Sequence, residues 1–477
     1  MKKILRPILC GGVLVALLCT PSLAAEQGDF SLLVNGEPVT FTDAAPVLKD
    51  GRSFLPVATT FQALGFAQED IVWNGETQSV TASKDGTTIS LTVGDSAVTW
   101  TGPSWSQTSE DGTSGSAGGS GGIAYLDAAP YIDPATNRTY IPVGLVADIL
   151  GCRVAWDGAT STVIIDDVDA ILAENTETYE RMDQYLDYAR KYSQGNYQVE
   201  GSYLLTSAPG EMESGAEIIH TIGGDYNLIS SQTAMQFAMD MSISGTIMGA
   251  PIAPTDMNLD MRADLDTGML YLYFQSEDLE QLMNNNVQVN GESVEFQIPD
   301  QWYSLDMKAV YDEAYGPGFY EELIALSTAS QEAAFAQTLE ELLKSDTLTL
   351  TSTATTSDYL EALNQLLGDS HFQKSGSTYT STLEQDGVTI LFHLYTSGGQ
   401  VNGYGMEMTA SETTGMEMTM TMEMKGDDMS LLMEMAGMTM EMDGTYRPSS
   451  TAPETEPPAG ATVVDLWELL TTPVSEL

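Results

Sequence analysis

Ten methionines near the carboxy terminus stand at positions that would bring their side chains to one surface. Met416, Met418, Met420, Met422 and Met424 recur at every second residue. Lys425-Gly426-Asp427-Asp428 reads as a turn, and Met433, Met435, Met438, Met440 and Met442 carry the pattern onward. Alternate side chains of a β-strand point to one face, so the run predicts a methionine-lined sheet face backed by a Thr/Glu face. Three chemistries are open to it. Methionine is an adaptable filler, which makes closed core. It can also line a plastic cavity for lipid or another apolar ligand. Thioethers are soft donors for Cu(I), but copper sites usually add histidine or cysteine, and no histidine lies in this stretch.

Elsewhere no acid, base and nucleophile stand in a catalytic spacing. The histidines are His220, His371 and His393, with no H-x-H pair. Asp166-Asp167-Val168-Asp169 is acidic enough to attract Ca²⁺ but lacks the spacing of a twelve-residue calcium loop, and reads as a solvated domain junction. Asn137-Arg138-Thr139 is a glycosylation sequon in form. No catalytic, cofactor or metal residues are assigned, and the expectation is a protein that is not an enzyme.

The amino terminus predicts export. Lys2, Lys3 and Arg6 precede an apolar run from Ile8 to Leu18, and Ser22-Leu23-Ala24 fits the small-x-small cleavage rule. Residues 1–24 therefore read as a signal peptide. Cys19 raises a lipoprotein alternative, but Leu18 departs from the small residue that lipidation signals place before the cysteine. Cys10 and Cys19 fall in this leader, so the mature chain keeps Cys152 alone and has no internal disulfide. Cys152 lies beside an apolar helix end and reads as a small core residue. No later segment is long and apolar enough for a transmembrane helix. The net charge of -51 repels nucleic acid and anionic headgroups, and suits a soluble exterior protein.

Residues 29–167 contain a duplication. Asp43-Ala44-Ala45-Pro46, Arg52-Ser53-Phe54-Leu55-Pro56-Val57, Leu64-Gly65 and Val72-Trp73-Asn74-Gly75 form the first copy. Asp127-Ala128-Ala129-Pro130, Arg138-Thr139-Tyr140-Ile141-Pro142-Val143, Leu150-Gly151 and Ala155-Trp156-Asp157-Gly158 form the second. Such self-similarity marks a repeated structural unit. In each, a strand ends at a proline that suits the first turn of a helix. Val57, Phe61 and Leu64, then Val143, Val146, Ala147 and Leu150, give one-faced helices. Gly65 and Gly151 sit where a C-cap wants a left-handed residue. Asn74-Gly75 and Asp157-Gly158 are type I′ turn signals, and Trp73 and Trp156 are expected to plug the core.

With its Asn35-Gly36 opening, this pattern resembles the copper amine oxidase N-terminal domain family, the stalk domain of Firmicute surface proteins. One departure is a Ser/Gly-rich insertion at 101–122, expected at a hairpin tip joining Val98-Thr99-Trp100 to Ile123-Ala124-Tyr125. The stalk domain is a non-catalytic appendage, so the resemblance implies a surface or cell-wall module and no copper. The oxidases themselves need a tyrosine in an Asn-Tyr-Asp/Glu setting and three histidine ligands; here Asn196-Tyr197 is followed by Gln198.

A helix expected over 169–192 links this part to residues 193–448. There, alternating segments, helical patterns near 307–326, 329–343 and 358–367, and further alternation up to Met442 predict an α+β domain with a large antiparallel sheet. Over 170–448 the element order, with Trp302-Tyr303-Ser304-Leu305-Asp306 ahead of helices, is similar to LolA/LppX-like lipoprotein-carrier half-barrels. Residues 449–477 read as a Pro-rich linker and a short helix from Val463 to Leu470.

The fold class is then α+β: a duplicated small stalk unit followed by a large, half-barrel-like antiparallel sheet with helices. The expected function is a secreted, non-enzymatic envelope protein of a Gram-positive bacterium, binding or scaffolding at the cell wall. The alternative is a carrier or sensor of lipid or another apolar ligand in a methionine-lined cavity. Partners would be a cell-wall polymer or an apolar small molecule, without nucleic acid.

Overall fold

A computed structural model describes residues 30–102, 122–126, 128–142, 150–192, 195–207, 210–211, 217–247, 250–278, 280–281, 288–289, 292–293, 297–321, 323–324, 333–345, 348–385, 387–410, 417–435 and 437–467. The expected signal peptide, most of the 101–122 insertion, Val143, Val146, Ala147 and Met416 lie outside the described residues. The chain divides into two compact units. One runs to Thr176 and includes Glu340–Ala362; the other holds Glu177–Leu339 and the chain from Leu363 onward. Strand and helix together make the fold α+β.

The first unit is built from β1 (Ser31–Val34), β2 (Glu37–Pro38), β3 (Val47–Lys49), β4 (Arg52–Pro56), β5 (Ile71–Asn74), β6 (Ser79–Lys84), β7 (Thr87–Thr92), β8 (Ala97–Thr101), β9 (Gly122–Tyr125), β10 (Tyr131–Asp133), β11 (Arg138–Pro142), β12 (Arg153–Asp157) and β13 (Thr162–Asp166). Its sheets run β12-β13-β1-β2, β10-β11-β4-β3 and β5-β6-β7-β8-β9. The two copies meet at β4 and β11, the matching strand of each. Phe54 faces Pro142, Leu55 faces Ile141 and Pro56 faces Tyr140. The pairing is thus two-fold about Leu55 and Ile141, both fully buried. Each such side chain contributes about 1.5–3 kcal/mol by leaving water.

Helix α1 (Val57–Ala63) follows β4. Gly65 takes φ +85, its N–H donates to Gln62 O, and the Phe66 N–H donates to Phe61 O. This is the double bond of a Schellman stop, and the Phe61 and Phe66 rings meet at 4.9 Å across it. Gly151 is left-handed likewise, and Leu150 packs against the core. Asn35-Gly36 forms a two-residue turn with both residues at positive φ, as type I′ requires.

The two Trp-(Asn/Asp)-Gly turns differ from expectation. Asn74 pairs with Ser79 and Asp157 with Thr162, leaving four-residue loops. The left-handed residues are Gln78 (φ 50) and Ser161 (φ 53), not the glycines. The loop is nucleated by the Asn or Asp side chain, which accepts N–H donors two and three residues on. Trp73 and Trp156 do not plug the core: they are 45% and 49% exposed. Their strands, β5 and β12, are sheet edges, and the buried indole is that of Trp100 at 5%.

Residues Glu340–Ala362 pack on the second copy. The Asp157 carboxylate, 4% exposed, also accepts the Ser352 N–H and hydroxyl at 2.9 and 2.7 Å. The Arg153 guanidinium donates to Leu343 O and Leu348 O. Asp166, fully buried, accepts the Thr356 N–H. Asp167 caps α2 (Val168–Glu174) through Ala170 N–H, and Asp169 pairs with Lys344. Every member of the acidic run thus has its own structural partner.

The expected helix over 169–192 is broken in two. Asn175 is extended after α2, and α3 (Glu180–Arg190) starts anew where Asp369 accepts the Glu180 and Arg181 N–H groups. The second unit continues with β14 (Tyr197–Ser207), β15 (Gly210–Glu211), β16 (Glu217–Ser230), β17 (Ala234–Ile247), β18 (Ala250–Asp264), β19 (Met269–Gln275), β20 (Gln288–Val289), β21 (Glu292–Ser293), β22 (Trp302–Asp306), α4 (Met307–Tyr315), α5 (Phe335–Lys344), α6 (Thr356–Leu367), β23 (Gln373–Ser375), β24 (Thr378–Gln385), β25 (Val388–Ser397), β26 (Gln400–Ala410), β27 (Met418–Lys425), β28 (Asp428–Met435), β29 (Met438–Pro448) and β30 (Val463–Asp465). The unit division falls within α5 and α6. One open sheet runs β23-β24-β25-β26-β27-β28-β29-β14-β16-β17-β18-β19-β22-β30, with β15 attached to β16. All its pairings are antiparallel except the last.

The carboxy-terminal stretch corrects two expectations. Val463–Asp465 is a strand, paired with Trp302–Ser304, where a helix was expected. The Pro-rich segment before it is fastened to the sheet: the buried Arg262 donates to Glu456 O at 2.6 Å, pairs with Glu454 and lies over the Trp302 ring.

Candidate functional site

The nine methionines of the run that lie among the described residues share one sheet face, and the register shows its extent. Met408, Met420, Met433 and Met440 oppose one another in turn across β26, β27, β28 and β29. Met418, Met435 and Met438 form the next row. On the other side come Met406, Met422, Leu431 and Met442, then Tyr404, Met424 and Met429. Directly opposed side chains lie about 4.5–5.5 Å apart at Cβ, so the thioethers of a row are in mutual reach. Met406, Met408 and Met429 belong to this face although the strict run did not mark them. Their signal was alternation in phase with it, in Met406-Glu407-Met408 and Met429-Ser430-Leu431.

Burial along the face is graded. Met424, Met429 and Met442 are buried, as are Met406 and Met408. Met418, Met420, Met422, Met433, Met435 and Met440 are only half-buried, and Met438 is 39% exposed. Helix α3 seals the buried end. Tyr185 sets its ring edge-on to Phe392 and Tyr404, and Tyr188 and Tyr192 donate to Gly426 O in the β27–β28 turn. Burial pushes the Tyr188 hydroxyl up to about 12, so it stays a donor. The face is therefore closed core at the helix end and partly exposed at the other, most of all at Met438.

The opposite face is polar. A hollow of about 510 Å³ is lined there by Glu200, Asp225, Asp240 and Asp443 among others. Glycines thin the sheet beside it. A Cβ at Gly201 would stand 1.9 Å from Asp443 O, and one at Gly224 2.0 Å from Asp240 O. Tyr226 fills the space and donates to Asp443 O. Asp443 accepts the Ser202 hydroxyl and Asp240 the Asn258 amide. Among the described residues no group of three or more His, Cys, Asp or Glu is arranged to hold a metal ion.

The remaining candidates are dispersed. His393 bonds Thr380 through Nδ1 and sits 3.3 Å from Glu407 through Nε2. His371 stands 3.8 Å from Glu177, and His220 lies on β16. Tyr197 packs its ring on Tyr192. Cys152 is buried in the core of the first unit, and burial pushes its thiol up to about 12, leaving it protonated and unreactive.

Comparison with known proteins bears on the first unit. Residues 33–165 match the copper amine oxidase N-terminal domain, which is a non-catalytic stalk domain of amine oxidases. No curated protein matches the chain. Among solved structures the chain is similar to a β-barrel-like protein of a domain of unknown function from Brucella abortus. The identity is 10%, with 53% of this chain and 98% of that one covered, and the TM-score is 0.19.

Proposed function

We propose that this is a secreted, non-enzymatic bacterial envelope protein. Its stalk unit attaches to or projects from the cell wall, and its large sheet binds or scaffolds. The observation that carries the reading is the stalk match over residues 33–165, joined to a leader with the features of a signal peptide. The test is fractionation of the producing cells, followed by pull-down of the purified protein on isolated cell wall. Co-sedimentation is expected. Protein that stays wholly in the supernatant would sink the attachment.

A second reading is favoured by the graded methionine face: the sheet carries a lipid or another apolar ligand at its partly exposed end. Fully burying a methionine is worth about 1.5–3 kcal/mol, and the half-buried side chains leave part of that unrealised. An apolar ligand laid over Met418, Met420, Met433, Met435, Met438 and Met440 would recover it, and flexible thioethers adapt to its shape. Native mass spectrometry of protein purified from its source should show bound apolar mass. A clean apo mass, together with no uptake of a fluorescent fatty acid, would argue against it.

A further inference from the structure

We propose that Trp73 and Trp156 are paired platforms for a polymer of amino sugars that carries free ammonium groups. The inference rests on the wall-attachment reading and names the part of the wall recognised. The first observation is exposure at matching places. Both indoles stand on edge strands, one residue before an Asx-nucleated loop, and both are close to half exposed. The unit buries Trp100, whereas these two stay half exposed at the rim of the core, Trp156 edge-on to Phe30 at 6.0 Å. Gly75 has no side chain to cover the Trp73 indole nitrogen, which a Cβ there would approach to 3.6 Å.

The chemistry of an exposed indole is specific. Its flat face is electron-rich and attracts cations and polarised C–H groups. The axial C–H face of a pyranose lies flat on such a ring, and an ammonium group on the sugar strengthens the contact. Charge supports this choice. Glu69 and Asp70 are exposed just before β5, and Glu76 lies in the loop after it. A chain of net charge -51 repels polymers bearing phosphate or carboxylate. Two single-ring platforms set at equivalent points of a duplicated unit suit a ligand that itself repeats. A basic peptide could add to an edge strand, but β5 and β12 offer only four and five residues.

The test titrates the purified secreted protein with a fully deacetylated glucosamine hexamer at physiological salt, followed by tryptophan emission and calorimetry. The hexamer should bind, and W73A/W156A should weaken it by more than about tenfold, as loss of aromatic anchors does. Each single variant should fall between. Both side chains are about half-buried and Trp156 lies edge-on to Phe30, so the double variant should lower the urea midpoint. W73F/W156F, which keeps an aromatic ring at each place, should restore both the midpoint and most of the binding, which separates lost binding from lost fold. The proposal is overturned if the hexamer does not bind, if the double variant binds like the parent, or if the N-acetylated hexamer binds as tightly. Equal binding of a lysine decapeptide, lost in the same variants, would also overturn it in favour of a peptide edge. A positive whole-wall pull-down with a negative hexamer titration sinks this inference alone, whereas failure of both sinks the attachment reading too.

Discussion

The two copies of the stalk motif begin from nearly the same residues and end in different surroundings. Asn74 and Asp157 each nucleate a loop after a tryptophan. Asn74 is exposed and does only that among its described bonds. Asp157 is buried and also fixes Ser352, while Arg153, where the first copy has Asp70, holds two carbonyls of the same later segment. After the left-handed glycine the first copy has Phe66 and the second Cys152, both in the core. A duplicated unit has thus kept its backbone logic and given one copy's turn a second task.

The comparison can be broken at several points. Phe66→Ala should be the costliest change, about 3–5 kcal/mol, because a large ring leaves a cavity. Cys152→Ala should cost about 1 kcal/mol, the worth of one small buried group. Urea unfolding of both variants measures the gap, and equal costs would show that the copies pack alike. Next comes Asp157→Ala, which orphans buried donors and should cost about 2–3 kcal/mol. Asn74→Ala should stay near 0.5 kcal/mol, as exposed changes do. Arg153→Met follows at about 1.5 kcal/mol, from lost charged hydrogen bonds.

The pH dependence sharpens the contrast further. Burial alone would raise the Asp157 carboxyl, but hydrogen bonds from Ser352, Thr160 and Ala159 outweigh it and hold it well below the usual carboxylate range. A depressed folded pKa gives stability that is fully present above the unfolded value near 4 and is lost as pH falls through the folded value. The stability difference between parent and D157N should therefore be constant above about pH 5 and shrink below about pH 4. N74A should show no such trend relative to the parent. The smallest effect is chemical: Cys152 should resist iodoacetamide in the native state and react fully in urea, and rapid native labelling would contradict its burial.

Much of this was legible in the sequence because it depends on neighbours along the chain. Gly65 stops α1 and Gly151 turns left-handed by the same local backbone requirement, and the methionine phase follows from the pleat alone. What failed depends on partners far away. Trp73 and Trp156 looked like core because large apolar residues usually are, but their strands lie at sheet edges, and only the strand order reveals an edge. The Asn-Gly signal misled because loop length was set by the register of Asn74 with Ser79. The helix expected over 169–192 broke because Asp369, remote in sequence, caps a new start. Val463–Asp465 became a strand because Trp302–Ser304 offered an open edge. The shared side of the methionines follows from their alternation, but the grading of their burial depends on where α3 lies across the sheet.

The clasp of Arg262 on Glu454 and Glu456 has a consequence for solubility. It holds the chain where β30 can cover the edge of β22. The other end of the sheet is β23, three residues long, fully exposed and carrying Lys374. Short charged edges resist pairing with other molecules, whereas bare apolar ones invite it. Without its strap the sheet would present Trp302, Tyr303 and Leu305 on an unpaired strand, a template for fibrillar self-association. The acidic, proline-bearing tail therefore shields one edge of a very large open sheet.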